Sequence, residues 1–107
     1  MIVRIWRTRI DLARAGEYRD FAHCRSLPMF RAQPGFAGAL FAARQAERAV
    51  ITLWRDLASA RALGHSRAYQ ATVAQIEATG FLQGQSTVEI FELEEAFLEK
   101  AALGSQG

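Results

Sequence analysis

The 107-residue chain contains one cysteine, two prolines, two histidines and one lysine. The lone Cys24 excludes an internal disulfide framework and a thiolate-rich metal site, and such a chain is expected in the reducing cytoplasm. His23 and His65 have no acidic triad beside them and so no metal-site spacing, and no metal centre is expected. No apolar run approaches the ~18 residues that cross a bilayer, which leaves no membrane partner to expect. The opening Met-Ile-Val-Arg-Ile-Trp-Arg places apolar residues before charges and alternates them, unlike a secretory leader. A Gly-rich phosphate loop and a dinucleotide fingerprint are both missing, so no cofactor is expected.

What is present is an ordinary globular balance, 50% hydrophobic and 22% charged, in a chain of single-domain length. The charge is split unevenly along it. Residues 1–55 hold ten arginines against four acids, a balance of +6, whereas residues 56–107 hold three basic residues against seven acids, a balance of −4. The arginines are scattered singly, with no cluster longer than Arg7-Thr8-Arg9. Phosphate recognition needs several cations on one face, so no nucleic-acid partner is expected. A basic first half meeting an acidic second half, within one chain or across a dimer, is the simpler reading.

Residues 2–10 alternate and are rich in β-branched and aromatic side chains, which predicts a strand. Ile2, Arg4, Trp6, Thr8 and Ile10 share one face, and Val3, Ile5, Arg7 and Arg9 the other. From about Ala13 to Arg31 the period becomes helical, through Tyr18, Phe21, Ala22, Arg25 and Met29. Pro28 should kink this helix by pushing Leu27 out of helical angles, or start a fresh turn capped by Ser26. Pro34-Gly35 ends it. Residues 36–44 and 48–55 read as two strands joined by Gln45-Ala46-Glu47. Asp56 is the expected N-cap of a short helix stopped by Gly64, and Ser66 caps another with Tyr69, Val73 and Ile76 as its buried stripe and Gly80 at its end. Residues 85–93 give a last strand.

This order predicts an α+β domain over residues 1–93, a ferredoxin-like four-stranded antiparallel sheet with its helices on one face. Residues 94–107 form a C-terminal extension, expected to be a short amphipathic helix with a frayed end. The sheet face without helices would carry Ile51 and Leu53, too apolar to leave in water. A second copy of the sheet is its simplest cover, which predicts a homodimer.

Several features occur together: the alternating first strand, Phe30-Arg31-Ala32-Gln33-Pro34-Gly35-Phe36 closing the first helix, Val50-Ile51-Thr52-Leu53-Trp54-Arg55-Asp56 running into a helix, then His65-Ser66 and a final strand. In this the sequence resembles the antibiotic biosynthesis monooxygenase family of dimeric α+β barrel proteins. The resemblance implies sheets packed into a barrel and a pocket between helices and sheet. It also implies activities ranging from cofactor-independent oxygenation of polyketide-derived aromatics, through quinol-type monooxygenation, to haem degradation. Trp54 matches the tryptophan that ends the third strand in the polyketide oxygenases. Their active-site asparagine and tyrosine fall on Val50 and Ala60, and the tryptophan and haem-ligand histidine of the haem degraders fall near Leu63 and Val73.

The function expected is therefore a cofactor-independent monooxygenase for a small aromatic or quinol-type compound, with a non-catalytic small-molecule-binding dimer as the alternative and haem degradation third. Trp6, Trp54 and Tyr69 are the expected pocket walls. His65, at a helix junction, or His23 could take a proton from a phenolic substrate, although a surface position is the plainer reading of each. His23 and Cys24 point about 100° apart on a helix and form no catalytic pair, and Cys24 is expected to be buried or half-buried. Arg7 and Arg9 could attract an anionic or phenolate substrate, although solvated or interface-paired arginines are the commoner outcome.

Overall fold

The computed structural model describes residues 1–99. The alternating opening forms strand β1 (Ile2–Ile10), and its two faces separate as the period of two requires. Ile2, Arg4, Thr8 and Ile10 are buried beneath the helices, with Trp6 half-buried among them, while Val3, Ile5, Arg7 and Arg9 lie on the opposite face. Strands β2 (Phe36–Arg44), β3 (Glu47–Trp54) and β4 (Leu82–Glu92) complete one antiparallel sheet in the order β2-β3-β1-β4. Register places Trp6 opposite Val50 and Val88, and Ile5 opposite Ile51 and Glu89. The β2–β3 turn is tight, since Arg44 pairs directly with Glu47 across Gln45-Ala46, and Gln45 adopts a left-handed φ of 53°. The ferredoxin-like α+β arrangement is thus the observed one.

Gly35 turns the chain from helix into β2 with a φ of 82°. A Cβ at that position would overlap the side chain of Ser59, so the helix after β3 packs directly against this turn. That helix, α3 (Leu57–His65), is capped by Asp56, whose Oδ1 accepts from the Ser59 N–H at 2.7 Å. It runs through Gly64 instead of stopping there. Ser66 caps α4 (Arg67–Ala78) through the Tyr69 N–H, and Gly80 follows with a φ of 80°.

The first helical segment departs from expectation. A 3-10 turn (Leu12–Arg14) leads into α1 (Ala15–Phe21), then a π-helical turn over Ala22–Ser26, then α2 (Leu27–Arg31). Ser26 and Leu27 both keep right-handed helical angles, and Ser26 makes no capping bond. Pro28 neither expels Leu27 from the helix nor starts a capped turn. Instead the Leu27 N–H bonds to the Ala22 carbonyl, an i→i−5 bond. The widened turn absorbs the missing N–H of Pro28 without breaking the helix. Cys24, on this turn, is exposed instead of buried.

The β1–β4 ladder also bulges. Arg7 pairs with Thr87 but Arg9 with Gln83, so Gly84, Gln85 and Ser86 sit against Thr8 alone. Gly84 takes a φ of 74° and Ser86 Oγ donates to Thr8 Oγ1 at 3.0 Å. The bulge starts β4 at Leu82, three residues earlier than periodicity suggests, because the irregular Gln-Gly-Gln-Ser stretch hides the alternation. Residues 93–99 have no regular secondary structure. The expected C-terminal helix is absent there, and the rest of its range lies outside the described residues.

Two core clusters fill the space between helices and sheet. One gathers Ile2, Met29, Phe30, Val50, Trp54, Ala60 and Leu63; the other gathers Ile10, Tyr18, Ala22, Ile76 and Phe81. Trp6 packs against both. Among the described residues no helix is long and apolar enough to cross a membrane.

Candidate functional site

The seam between the two clusters is where packing is incomplete. A cavity of about 40 Å³ lies there, lined by Arg4, Trp6, Tyr18, Ala22, Ser26, Met29, Phe30, Val50, Tyr69, Thr72, Val73 and Ile76. The sheet supplies its floor from β1 and β3, α4 one wall, and the π turn with α2 the other. Ala22 and Ser26 are the first and last residues of that widened turn, so the local backbone irregularity shapes the cavity directly.

Beyond α4 lies a wider groove of about 440 Å³, lined by Trp6, Val73, Ile76, Glu77, Leu82 and the bulge residues Gly84, Gln85 and Ser86. Trp6, Val73 and Ile76 belong to both linings, so these three side chains stand between the cavity and the groove. A cavity of ~150 Å³ is the size that accommodates a benzene ring. An aromatic ligand therefore needs the cavity to widen, and rotation of Trp6 and Val73 towards the groove would provide the room.

The polar content of the cavity is small and specific. Arg4 is only 6% exposed, and its Nη2 donates to the Tyr69 hydroxyl at 2.8 Å. Its guanidinium carbon also stands 5.0 Å from the centre of the Tyr69 ring, within cation–π range. Burial pushes the Tyr18 hydroxyl up to about 12, with the nearby positive charge of Arg48 opposing that rise.

The residues expected from sequence are thus divided by the fold. Trp6 and Tyr69 line the cavity. Trp54 does not; it is fully buried in the core, edge-on to Phe36 at 5.8 Å, with its Nε1–H donating to Thr52 Oγ1 at 2.8 Å. His65 is exposed at the end of α3. His23 is exposed on the π turn and borders a separate surface cleft, which Tyr18 and Ala22 divide from the cavity. Neither imidazole reaches the cavity. Arg7 pairs with Glu89 at 2.7 Å on the open sheet face, and Arg9 shares a surface groove there. Arg4 had one sequence signal: it is the charged residue on the otherwise core-facing side of β1. Met29 and Phe30 were visible only as helix residues, and no motif foretold the π turn that aims Ser26 inward.

No family model and no curated protein matches the sequence. Solved structures do match. SnoaB, a cofactor-independent oxygenase from Streptomyces nogalater, superposes with a TM-score of 0.73 at 18% identity, covering 92% of this chain and 97% of its own. The monooxygenase ActVA-Orf6 of Streptomyces coelicolor, solved with nanaomycin D, gives 0.73 at 17% identity over 92% of this chain and 91% of its own. A Nitrosomonas europaea protein of unknown function gives 0.74 at 20% identity over 92% and 93%. The chain has the antibiotic biosynthesis monooxygenase fold. Within that fold, the position where the resemblance expects an active-site asparagine is Val50, and it does line the cavity. The position of the expected tyrosine, Ala60, is buried in the core instead. Leu63 and Val73, where the haem degraders' residues would fall, are a core residue and a wall of the cavity. Among the described residues, no three His, Cys, Asp or Glu side chains converge.

Proposed function

We propose that the protein is a cofactor-independent monooxygenase of a small aromatic or quinol-type compound, working as a cytoplasmic homodimer whose open sheet faces meet. The observation that supports this most is the position of the apolar cavity between sheet and helices, walled by Trp6 and Tyr69, on a fold shared with a cofactor-independent oxygenase. The cavity contributes three things to such chemistry. Its aromatic walls stack a flat substrate, its closed floor excludes water from a reactive carbanion or phenolate, and its side chains hold the ring in one orientation. The substrate anion then reduces dioxygen directly. With an anthrone as substrate, one oxygen atom becomes a carbonyl at the ring CH₂ carbon, and the other leaves as water with the two hydrogens lost there.

The test is oxygen uptake by metal-free, flavin-free protein against anthrones, quinols and dihydroxynaphthalenes, with the product followed by mass. One dioxygen consumed per carbonyl formed supports the reading, and inactivity across the panel overturns it. The exposure of His23 and His65 favours one second reading, a non-catalytic binder of the same class of molecule, since no imidazole base serves the cavity. Native mass spectrometry showing a bound aromatic that is never oxidised would select it.

A further inference from the structure

Arg4 is a charged residue where the core is otherwise apolar. Its guanidinium is buried on the helix-facing side of β1, yet none of the ion pairs among the described residues involves it. Its one side-chain hydrogen bond there goes to a neutral hydroxyl, that of Tyr69. Holding a mostly buried cation without an anion opposite is costly in a fold. Arginine cannot relieve that cost by giving up its proton. No buried side-chain polar atom among the described residues is left unsatisfied, so the rest of the guanidinium fork keeps contact with water. The titratable groups lining the cavity besides Arg4 are Tyr18 and Tyr69, no carboxylate is among its lining residues, and Glu77 lines only the outer groove. The cavity therefore presents a net positive charge to whatever occupies it.

We infer that the cavity takes its aromatic ligand as a phenolate, with the Arg4 guanidinium and the Tyr69 hydroxyl holding the phenolate oxygen. The geometry suits that role from both partners. Tyr69 Oη accepts from Arg4 at 2.8 Å, which leaves its own proton to donate. The guanidinium carries further N–H groups beside the one that Tyr69 uses. The Arg4 guanidinium carbon lies 5.0 Å from the centre of the Tyr69 ring, so the same side chain holds it by a hydrogen bond and a cation–π contact. This rests on the reading of the cavity as an aromatic site, and it adds what that reading lacks. With no imidazole in reach, the cavity favours the ionised ligand by stabilising the anion, so the phenol's proton can leave to solvent before the cavity closes.

The experiment uses 4-nitrophenol, whose anion is coloured, and requires no turnover. Titrated with the intact protein, the bound phenol should ionise at a lower pH than the free one, by about one unit or a tenfold change in acidity, as expected of one charge-assisted contact. Arg4→Met should abolish that displacement and weaken binding of the anion at least about tenfold, leaving the protein's thermal midpoint no lower because a lone buried charge is gone. Arg4→Lys should retain part of the displacement, and Tyr69→Phe should lose part of it. If Arg4→Met binds the nitrophenolate as the unaltered protein does, or if only the neutral phenol binds, the inference fails while the aromatic site stands. If neither form binds the unaltered protein, both fail. If Arg4→Met does not fold, the displacement in Tyr69→Phe decides: undiminished, it overturns the inference.

Discussion

Tyr18 shows how one side chain can report on the packing around it. It is buried on α1, edge-on to Phe81 at 6.0 Å, with the Arg48 guanidinium carbon 5.7 Å from its ring centre. Burial holds its hydroxyl protonated up to about 12, whereas an unfolded tyrosine ionises near ~10. Between those values the unfolded chain releases a proton that the folded chain keeps, so stability falls as pH rises through the window. Below it the group contributes no pH dependence. The loss should reach about 2–3 kcal/mol by the upper end. Urea midpoints for the unaltered protein and Tyr18→Phe, compared at about pH 9 and about pH 11, should diverge only at the higher value, with the variant less sensitive. Parallel behaviour of the two would show that the hydroxyl is solvated. Legibility at this scale depended on environment. The face of each β1 residue followed from alternation alone, but Arg4 looked like any other of twelve arginines until its face was known to be covered. Trp54 drew attention by resemblance, yet its indole N–H is satisfied by Thr52 in the core, and no pattern of residue types distinguishes a satisfied tryptophan from a pocket wall.

Helix α4 closes the cavity with few anchors. Ile76 is its buried residue, with Tyr69 and Val73 half-buried on the same stripe, as period and capping predicted. Because Ile76 also belongs to the partition between cavity and groove, shortening it should have two effects of opposite value. Ile76→Ala should cost about 2–4 kcal/mol, the transfer term plus the void left behind. It should also join the two spaces and speed entry of 4-nitrophenol. Denaturant unfolding and stopped-flow binding on the same sample separate the effects, and a destabilised variant with unchanged association rate would mean the ligand enters elsewhere. The two irregular segments that sequence missed share one cause. At Ala22–Ser26 and at Gly84–Ser86 the chain inserts residues into a regular ladder, which leaves the hydrophobic period on either side intact and simply shifts it. Periodicity therefore shows that a helix and a strand are there, and hides the two irregularities that shape the cavity and its outer groove.

For the whole molecule the open side of the sheet is the unresolved surface. Pairing in register puts Gly38, Leu53, Val3 and Phe91 in one row across the sheet, and Leu40, Ile51, Ile5 and Glu89 in the next. Leu40 is 40% exposed and Phe91 50% exposed in the single chain. No helix covers these rows among the described residues, and apolar patches of this kind mark interaction sites. The charge on this face does not oppose burial, because Arg7 is neutralised by Glu89 at 2.7 Å. A second sheet laid across it would bury the apolar rows with Arg7 already paired, while exposed Arg9 lies two residues further along β1, away from those rows. A stable contact needs roughly 800 Å² from each partner, and a face spanning four strands is broad enough to provide it. Leu53 sits in the first row, beside Gly38, where the missing side chain lets β2 approach it. Leu53→Asp places a carboxylate there with no cation opposite it in the sheet, and the cost falls on association far more than on the fold of one chain. Sedimentation at micromolar concentration should find the unaltered protein as a dimer, and the variant as a monomer or as insoluble material. A soluble 11.9 kDa monomer from the unaltered chain would overturn the homodimer and leave the apolar rows to some other partner.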